Sequence, residues 1–200
     1  MKNILITQGI SINKRKSLYT KLDLDWYKYA SKLKFNLIPI SYKINLSFFK
    51  KIKVDGIIFS GGNSLNKFEK KKQNLLRDKF ETNLFKYFKK KNLPILAVCR
   101  GMQLISDLNN TKLFKTRNHV TKGHNIILNN KKIINVNSYH TFLIKKTPSQ
   151  FKVLAQHKKD KSIEAMKHKK NKILCFMFHP ERKSKDQTKV NKLFKEFFKI

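Results

Sequence analysis

Short apolar runs alternate with amphipathic stretches through the first half of the chain, and that alternation predicts the fold. NILIT (Asn3–Thr7) has the length and character of a strand, and Leu18, Leu22, Trp26, Ala30 and Leu33 then recur at helical spacing over residues 18–33. Phe35–Ile40 and Val54–Ser60 read as the second and third strands, the latter halting at Gly61, Gly62 and Asn63, a tight turn with accessible backbone. Residues 71–91 predict a basic helix with a buried stripe of Leu76, Phe80, Leu84 and Phe88. Arg77 and Glu81, four apart on it, have the spacing of a surface ion pair. Strands separated by helices imply parallel pairing, with ligands gathering at the carboxyl ends of the strands.

Beyond the helix that follows Cys99 the pattern shortens. HNIILN, KKIINVN, FKVLAQH, SIEAMKH and KILCFMF read as short strands joined by polar turns, which predicts antiparallel pairing with Asn129 and Asn130 at a hairpin tip. A last helix has Val190, Leu193, Phe194 and Phe197 as its core positions. The expected class is α/β, a central, mostly parallel sheet flanked by helices with an added antiparallel portion in the C-terminal half. Residues 1–200 are expected to form one domain.

Charge alters this picture most. Forty-six Lys and Arg against 12 Asp and Glu give a net +34, a field that attracts polyanions. The lysines are spread over every predicted element and no nucleic-acid-binding motif accompanies them, so an anionic small molecule is expected rather than specific nucleic acid. Abundant Lys, Asn, Ile and Phe match A- and T-rich codons, although scarce Glu does not. No run is long enough to span a membrane and no export signal stands at the start, which predicts a cytoplasmic protein without membrane association. Two cysteines argue against a disulfide framework, and Cys175, inside an apolar run, reads as core. His119, His124, His140, His157 and His168 fall at no recognised ligand spacing, so no metal site is expected, and His119 and His124 read as solvated loop residues.

The candidate chemistry lies in LPILAVCRGMQ, Leu93–Gln103, where an apolar run breaks at Cys99, Gly101 follows and a helical pattern resumes. A strand, sharp turn and helix of this kind lift a nucleophile above the sheet edge and place a helix N-terminus beneath it, which favours the thiolate. Eighty residues later His179, Pro180 and Glu181 follow an apolar run. Proline holds His179 extended, so His179 and Glu181 share a face and can serve as base and orienter. Backbone N–H groups of Arg100 and of the glycine turn, at Gly62 and Asn63, are the natural oxyanion donors.

These motifs resemble those of class I glutamine amidotransferases, and most closely the free-standing γ-glutamyl hydrolase branch typified by γ-glutamyl-γ-aminobutyrate hydrolases. The likeness runs from about Val54 to the end, through VDGIIFSGGN, the Cys99 turn, NVNSYH, SIEAM and FHPE. It implies a flavodoxin-like sheet, no cofactor, Cys99 as nucleophile, His179 as base then acid, and Glu181 as its orienter. It also implies that Gly61, Gln103, Asn137, Ser138, Tyr139 and His140 lie at the γ-glutamyl group. Ala97 stands where the family usually has glycine, the region between Gly61 and residue 75 is short, and the N-terminal third matches poorly. Length, lysine content and stand-alone motifs resemble the γ-glutamyl-CDP-amidate hydrolases of capsule phosphoramidate pathways, implying a diphosphate-bearing substrate. Alternatives are a glutaminase subunit feeding a separate partner synthase, a hydrolase of another γ-glutamyl amine, and a non-catalytic nucleic-acid-binding protein.

Overall fold

The computed structural model describes residues 1–200, apart from the side chains of Leu46, Lys50 and Lys122. Strand β1 (Asn3–Thr7) is followed by a hairpin of β2 (Gly9–Ile12) and β3 (Leu18–Lys21), so residues 18–21 are strand where spacing predicts helix. Helix α1 (Leu24–Leu33) starts only after Asp23, whose carboxylate caps it by accepting from the Asp25 N–H at 3.0 Å. Next come β4 (Asn36–Ile40), β5 (Gly56–Phe59), α2 (Lys72–Lys90), β6 (Ile95–Val98) and α3 (Arg100–Leu108). The second half adds β7 (Leu113–Lys115), β8 (Val120–Leu128), β9 (Ile133–Tyr139), β10 (Phe142–Ile144), β11 (Phe151–His157), β12 (Ile163–His168), β13 (Ile173–Phe176) and α4 (Gln187–Phe198).

Nine strands form one sheet in the order β4-β1-β5-β6-β13-β12-β11-β8-β9. The first five are parallel and the remaining pairings antiparallel, as the change in pattern implies. Alternating side chains feed two apolar layers. Ile4, Ile6, Ile58, Val98 and Phe176 meet Trp26, Tyr29, Val190, Phe194 and Phe198 of α1 and α4. Leu5, Ile57, Phe59, Ala97 and Cys175 meet Leu84, Phe88, Met102 and Ile105 of α2 and α3. Cys175 is fully buried and burial raises its thiol, which keeps it inert.

Two details depart from the sequence expectation. The buried face of α2 carries Arg77 and Glu81, both fully inaccessible, while Leu76 and Phe80 are only half-buried. At the β8–β9 tip Lys131, not either asparagine, takes the left-handed conformation, with φ 64°. Among the described residues no helix is long and apolar enough to cross a membrane.

Candidate active site

The parallel half of the sheet delivers its strand ends to one edge, where β5 runs into Ser60–Asn63, β6 into Cys99 and β13 toward His179. Cys99 has φ 50° and ψ −103°, a region a β-carbon disfavours, and such strain costs on the order of 1–3 kcal/mol. The turn is held by the Cys99 N–H donating to the Phe176 carbonyl at 2.7 Å and the Gln103 N–H donating to the Cys99 carbonyl at 3.0 Å. Only glycine fits at 101, because a β-carbon there would stand 2.5 Å from the Phe59 carbonyl oxygen. That close approach sets the first turn of α3, with its unpaired N–H groups, directly under Cys99.

His179 Nδ1 donates to Glu181 Oε1 at 2.7 Å in a buried contact, which leaves Nε2 turned toward Cys99. The two reactive side chains meet over Gly61. A β-carbon at that position would lie 2.5 Å from His179 Cε1, 3.2 Å from Nε2 and 3.5 Å from Cys99 Cβ. Burial by itself lowers the imidazole, but the Glu181 charge and the hydrogen bond and charge of Cys99 outweigh it and raise His179 to about 10. The backbone of this segment is clamped by Asn137, whose amide donates to the His179 carbonyl at 2.7 Å and accepts from the His179 N–H at 2.9 Å.

Gly62, with φ 77°, and Asn63, with φ 45°, form the turn facing Cys99, and neither amide has an acceptor among the described residues. The Arg100 N–H, at the head of α3, is likewise free of an intrahelical acceptor. These three amides are left free at the edge that carries Cys99. The turn is braced from below by Arg77, which donates to the Ser60, Gly61 and Gly62 carbonyls at 2.8, 3.0 and 3.2 Å and to Glu81 at 2.9 Å. Glu81 in turn accepts from Thr7 at 2.7 Å and pairs with the Arg100 guanidinium, which also reaches Asp78. Burial pushes Arg77 down to about 10 against the raising charge of Glu81. The expected surface pair is therefore a buried strut. Its signal was present in the sequence, since Arg77 and Glu81 precede Leu84 and Phe88 at the same 4-3-4 spacing.

Two cavities flank His179. The smaller, about 180 Å³, is lined by Cys99, Gln103, Tyr139, His140 and Phe142 among others. The larger, about 280 Å³, is lined by Gly61, Lys21, Trp26, Glu181 and Arg182 among others. Arg182 borders both and lies 4.9 Å over the Tyr139 ring. Asn137 and Ser138 do not reach either cavity: Asn137 is consumed by the His179 segment, and Ser138 donates to the His119 carbonyl at 2.6 Å. His119 is wholly buried and His124 about nine-tenths so, contrary to a solvated-loop reading, because His124 lies within β8 and His119 just ahead of it, both facing Glu164 of β12.

Residues 21–200 match the family described as glutamine amidotransferase class-I. The chain is 34% identical over 166 residues, 82% of its length and 81% of the relative's, to the γ-glutamyl-CDP-amidate hydrolase of Campylobacter jejuni. It is 30% identical over 155 residues, 74% of each chain, to one of the subunits of the glutamine-hydrolysing GMP synthase of Methanocaldococcus jannaschii. In fold it is similar to a candidate GMP synthase component from Thermoplasma acidophilum, with a TM-score of 0.75 at 19% identity over 100% of this chain and 93% of that one. With its family match spanning nearly the whole chain, this protein belongs to the class I glutamine amidotransferases and is a cysteine amide hydrolase.

Proposed function

We propose that the chain cleaves the amide of an anionic γ-glutamyl substrate, γ-glutamyl-CDP-amidate, through a thioester on Cys99. The sulfur attacks the γ-carbonyl carbon while the amides of Gly62, Asn63 and Arg100 receive the oxyanion, each such donor contributing about 3 kcal/mol. His179 Nε2 gives its proton to the departing nitrogen as the C–N bond breaks, and Glu181 holds the ring throughout. Water then attacks the thioester, passing a proton to His179, and glutamate leaves as the C–S bond breaks and the sulfur is returned. Gln103, Tyr139 and His140 line the glutamyl side.

The observation that carries this reading is His179, raised to about 10 between Glu181 and Cys99 over a glycine that leaves room for both. The substrate class is supported by the C. jejuni relative and by Lys21 and Arg182 on the other side of the ring, cations suited to a diphosphate-bearing leaving portion. Purified protein offered γ-glutamyl-CDP-amidate, γ-glutamyl-γ-aminobutyrate and glutamine should release glutamate fastest from the first, and Cys99→Ala should abolish release. Release from glutamine alone, rising when a synthase is added, would favour an ammonia-supplying role beside a partner enzyme.

A further inference from the structure

Beside the Cys99 site, the antiparallel half of the sheet gathers three histidines and a glutamate, of which only His140 borders the Cys99 cavity and none takes part in a proton or acyl transfer. His119 precedes β8, His124 lies within it, His140 follows β9 and Glu164 stands on β12. His119, His140 and Glu164 are wholly buried at the side chain, and His124 is 9% exposed. Four atoms, one from each residue, lie within 4.8 Å of one another. His119 Nδ1 and His140 Nε2 are each 3.4 Å from Glu164 Oε1, and His124 Nε2 is 3.3 Å from Oε2.

None of these contacts has hydrogen-bond geometry, and both Glu164 oxygens lack a donor among the described residues. A carboxylate removed from water without a donor is unfavourable, and a cation at the centre of the cluster resolves it. Two of the histidines stand at a tetrahedral edge length from one carboxylate oxygen and the third from the other, and with all four atoms within 4.8 Å of one another a small contraction closes the set around an ion. Ligand atoms about 2.0–2.1 Å from a tetrahedral ion stand about 3.3–3.4 Å apart, and three imidazole nitrogens with one carboxylate oxygen suit zinc.

The surrounding bonds orient the rings for this task. His140 Nδ1 donates to the Phe142 carbonyl at 2.9 Å, which leaves the Nε2 lone pair facing inward. His119 Nε2 donates to Asp160 Oδ2 at 2.8 Å, freeing Nδ1. Asp160 is itself fixed by His157 at 2.9 Å and the Ser162 hydroxyl at 2.7 Å. A surface cavity of about 730 Å³ reaches His119 and His124 and provides an entry path.

We propose that His119, His124, His140 and Glu164 bind one zinc ion in a closed, structural site. It ties β8, β12 and the end of β9 together and thereby fixes Tyr139 and His140, which wall the cavity at Cys99. Glu164 also accepts the Met177 N–H at its backbone carbonyl at 2.8 Å, just ahead of His179, so the ion braces the segment carrying the imidazole.

The test is metal content of the intact chain, a readout independent of which substrate Cys99 attacks. Wild type and Cys99→Ala, incubated with zinc and desalted, should each retain about one zinc per chain by elemental analysis. Zinc affinity should fall at least about tenfold in His124→Ala and Glu164→Gln. Cobalt-loaded wild type should show a tetrahedral visible spectrum without a thiolate charge-transfer band, and a chelator should lower the melting temperature until zinc is restored. If either variant fails to fold, the wild type and Cys99→Ala still decide. Wild type without stoichiometric metal, or metal lost on removing the Cys99 thiol, overturns the assignment.

Discussion

Gly61→Ala tests the geometry on which the proposed chemistry depends. Gly61, unlike Gly62, has no left-handed backbone, so alanine can adopt its conformation and the consequence is steric. The new β-carbon would stand 2.5 Å from His179 Cε1, whereas ordinary contact begins near 3.4 Å, so the ring must retreat by about 0.9 Å. Glu181 holds the far side of the ring at 2.7 Å and Asn137 holds its backbone, so the displacement falls on the approach of Nε2 to Cys99. A misplacement of about 1 Å typically costs a reaction about 100-fold, or about 2.7 kcal/mol of barrier. Overpacking of about 1–3 kcal/mol is partly offset by about 0.4–1 kcal/mol of lost unfolded-state freedom, so stability should fall by no more than about 2.6 kcal/mol. Glutamate release should therefore show kcat down about 100-fold with a small change in melting temperature. A variant retaining kcat within about threefold would refute the placement of the imidazole over Gly61.

Three further outcomes follow from the same contacts. Arg77→Met removes the donors to the Ser60, Gly61 and Gly62 carbonyls and leaves Glu81 one buried partner fewer; urea melts should show a loss of about 3–5 kcal/mol, and a loss under about 1 kcal/mol would refute the strut. Because His179 is raised from 6.5 to about 10, its contribution to stability is full below about pH 6.5 and is lost as pH rises through about 10. Glu181→Gln removes the largest raising influence and leaves burial opposed by Cys99 alone, so the alkaline loss should flatten and the ring's NMR titration should move to lower pH; an unmoved titration sinks the assignment. With a net charge of +34, kcat/KM for γ-glutamyl-CDP-amidate should fall with salt as the Debye length shrinks from about 10 Å at 0.1 M to about 3 Å at 1 M, while glutamine should respond less. Equal salt slopes would remove charge steering from the account.

The parallel half of the fold was legible because each strand there is a bounded apolar run, and buried alternation leaves little choice of register. The residues now found at the Cys99 edge were legible too, since a cysteine between a strand and a helix and a histidine before proline each constrain their own backbone. Contacts between distant segments left no such local trace. Leu18 and Leu22 have helical spacing, but the Asp23 cap starts the helix later and residues 18–21 pair with β2. Asn137 and Ser138 lie beside Tyr139 and His140 in sequence, yet the Asn137 amide is taken up by the His179 backbone and the Ser138 hydroxyl by the His119 carbonyl, so neither lines a cavity beside Cys99. The histidine cluster was invisible because its members come from separate segments whose linear spacing resembles no metal motif.

The distribution of charged residue types reflects the geometry each position requires. Of 46 basic residues only five are arginine, and three of those five, Arg77, Arg100 and Arg182, surround the candidate site. A rigid planar fork can satisfy several fixed carbonyls and carboxylates at once, whereas an ammonium on a flexible stem supplies charge without direction. Carboxylates divide in the same way. Glu81 lies between two arginines, Glu164 faces three histidines, Glu181 holds His179, Asp78 meets Arg100, and Asp160 meets His119 and His157. Five of the 12 acidic groups are thus engaged by these networks, which leaves few to neutralise the lysines outside. A substrate of the anionic kind proposed would meet the net +34 before it reached Arg182, which lines both cavities beside His179.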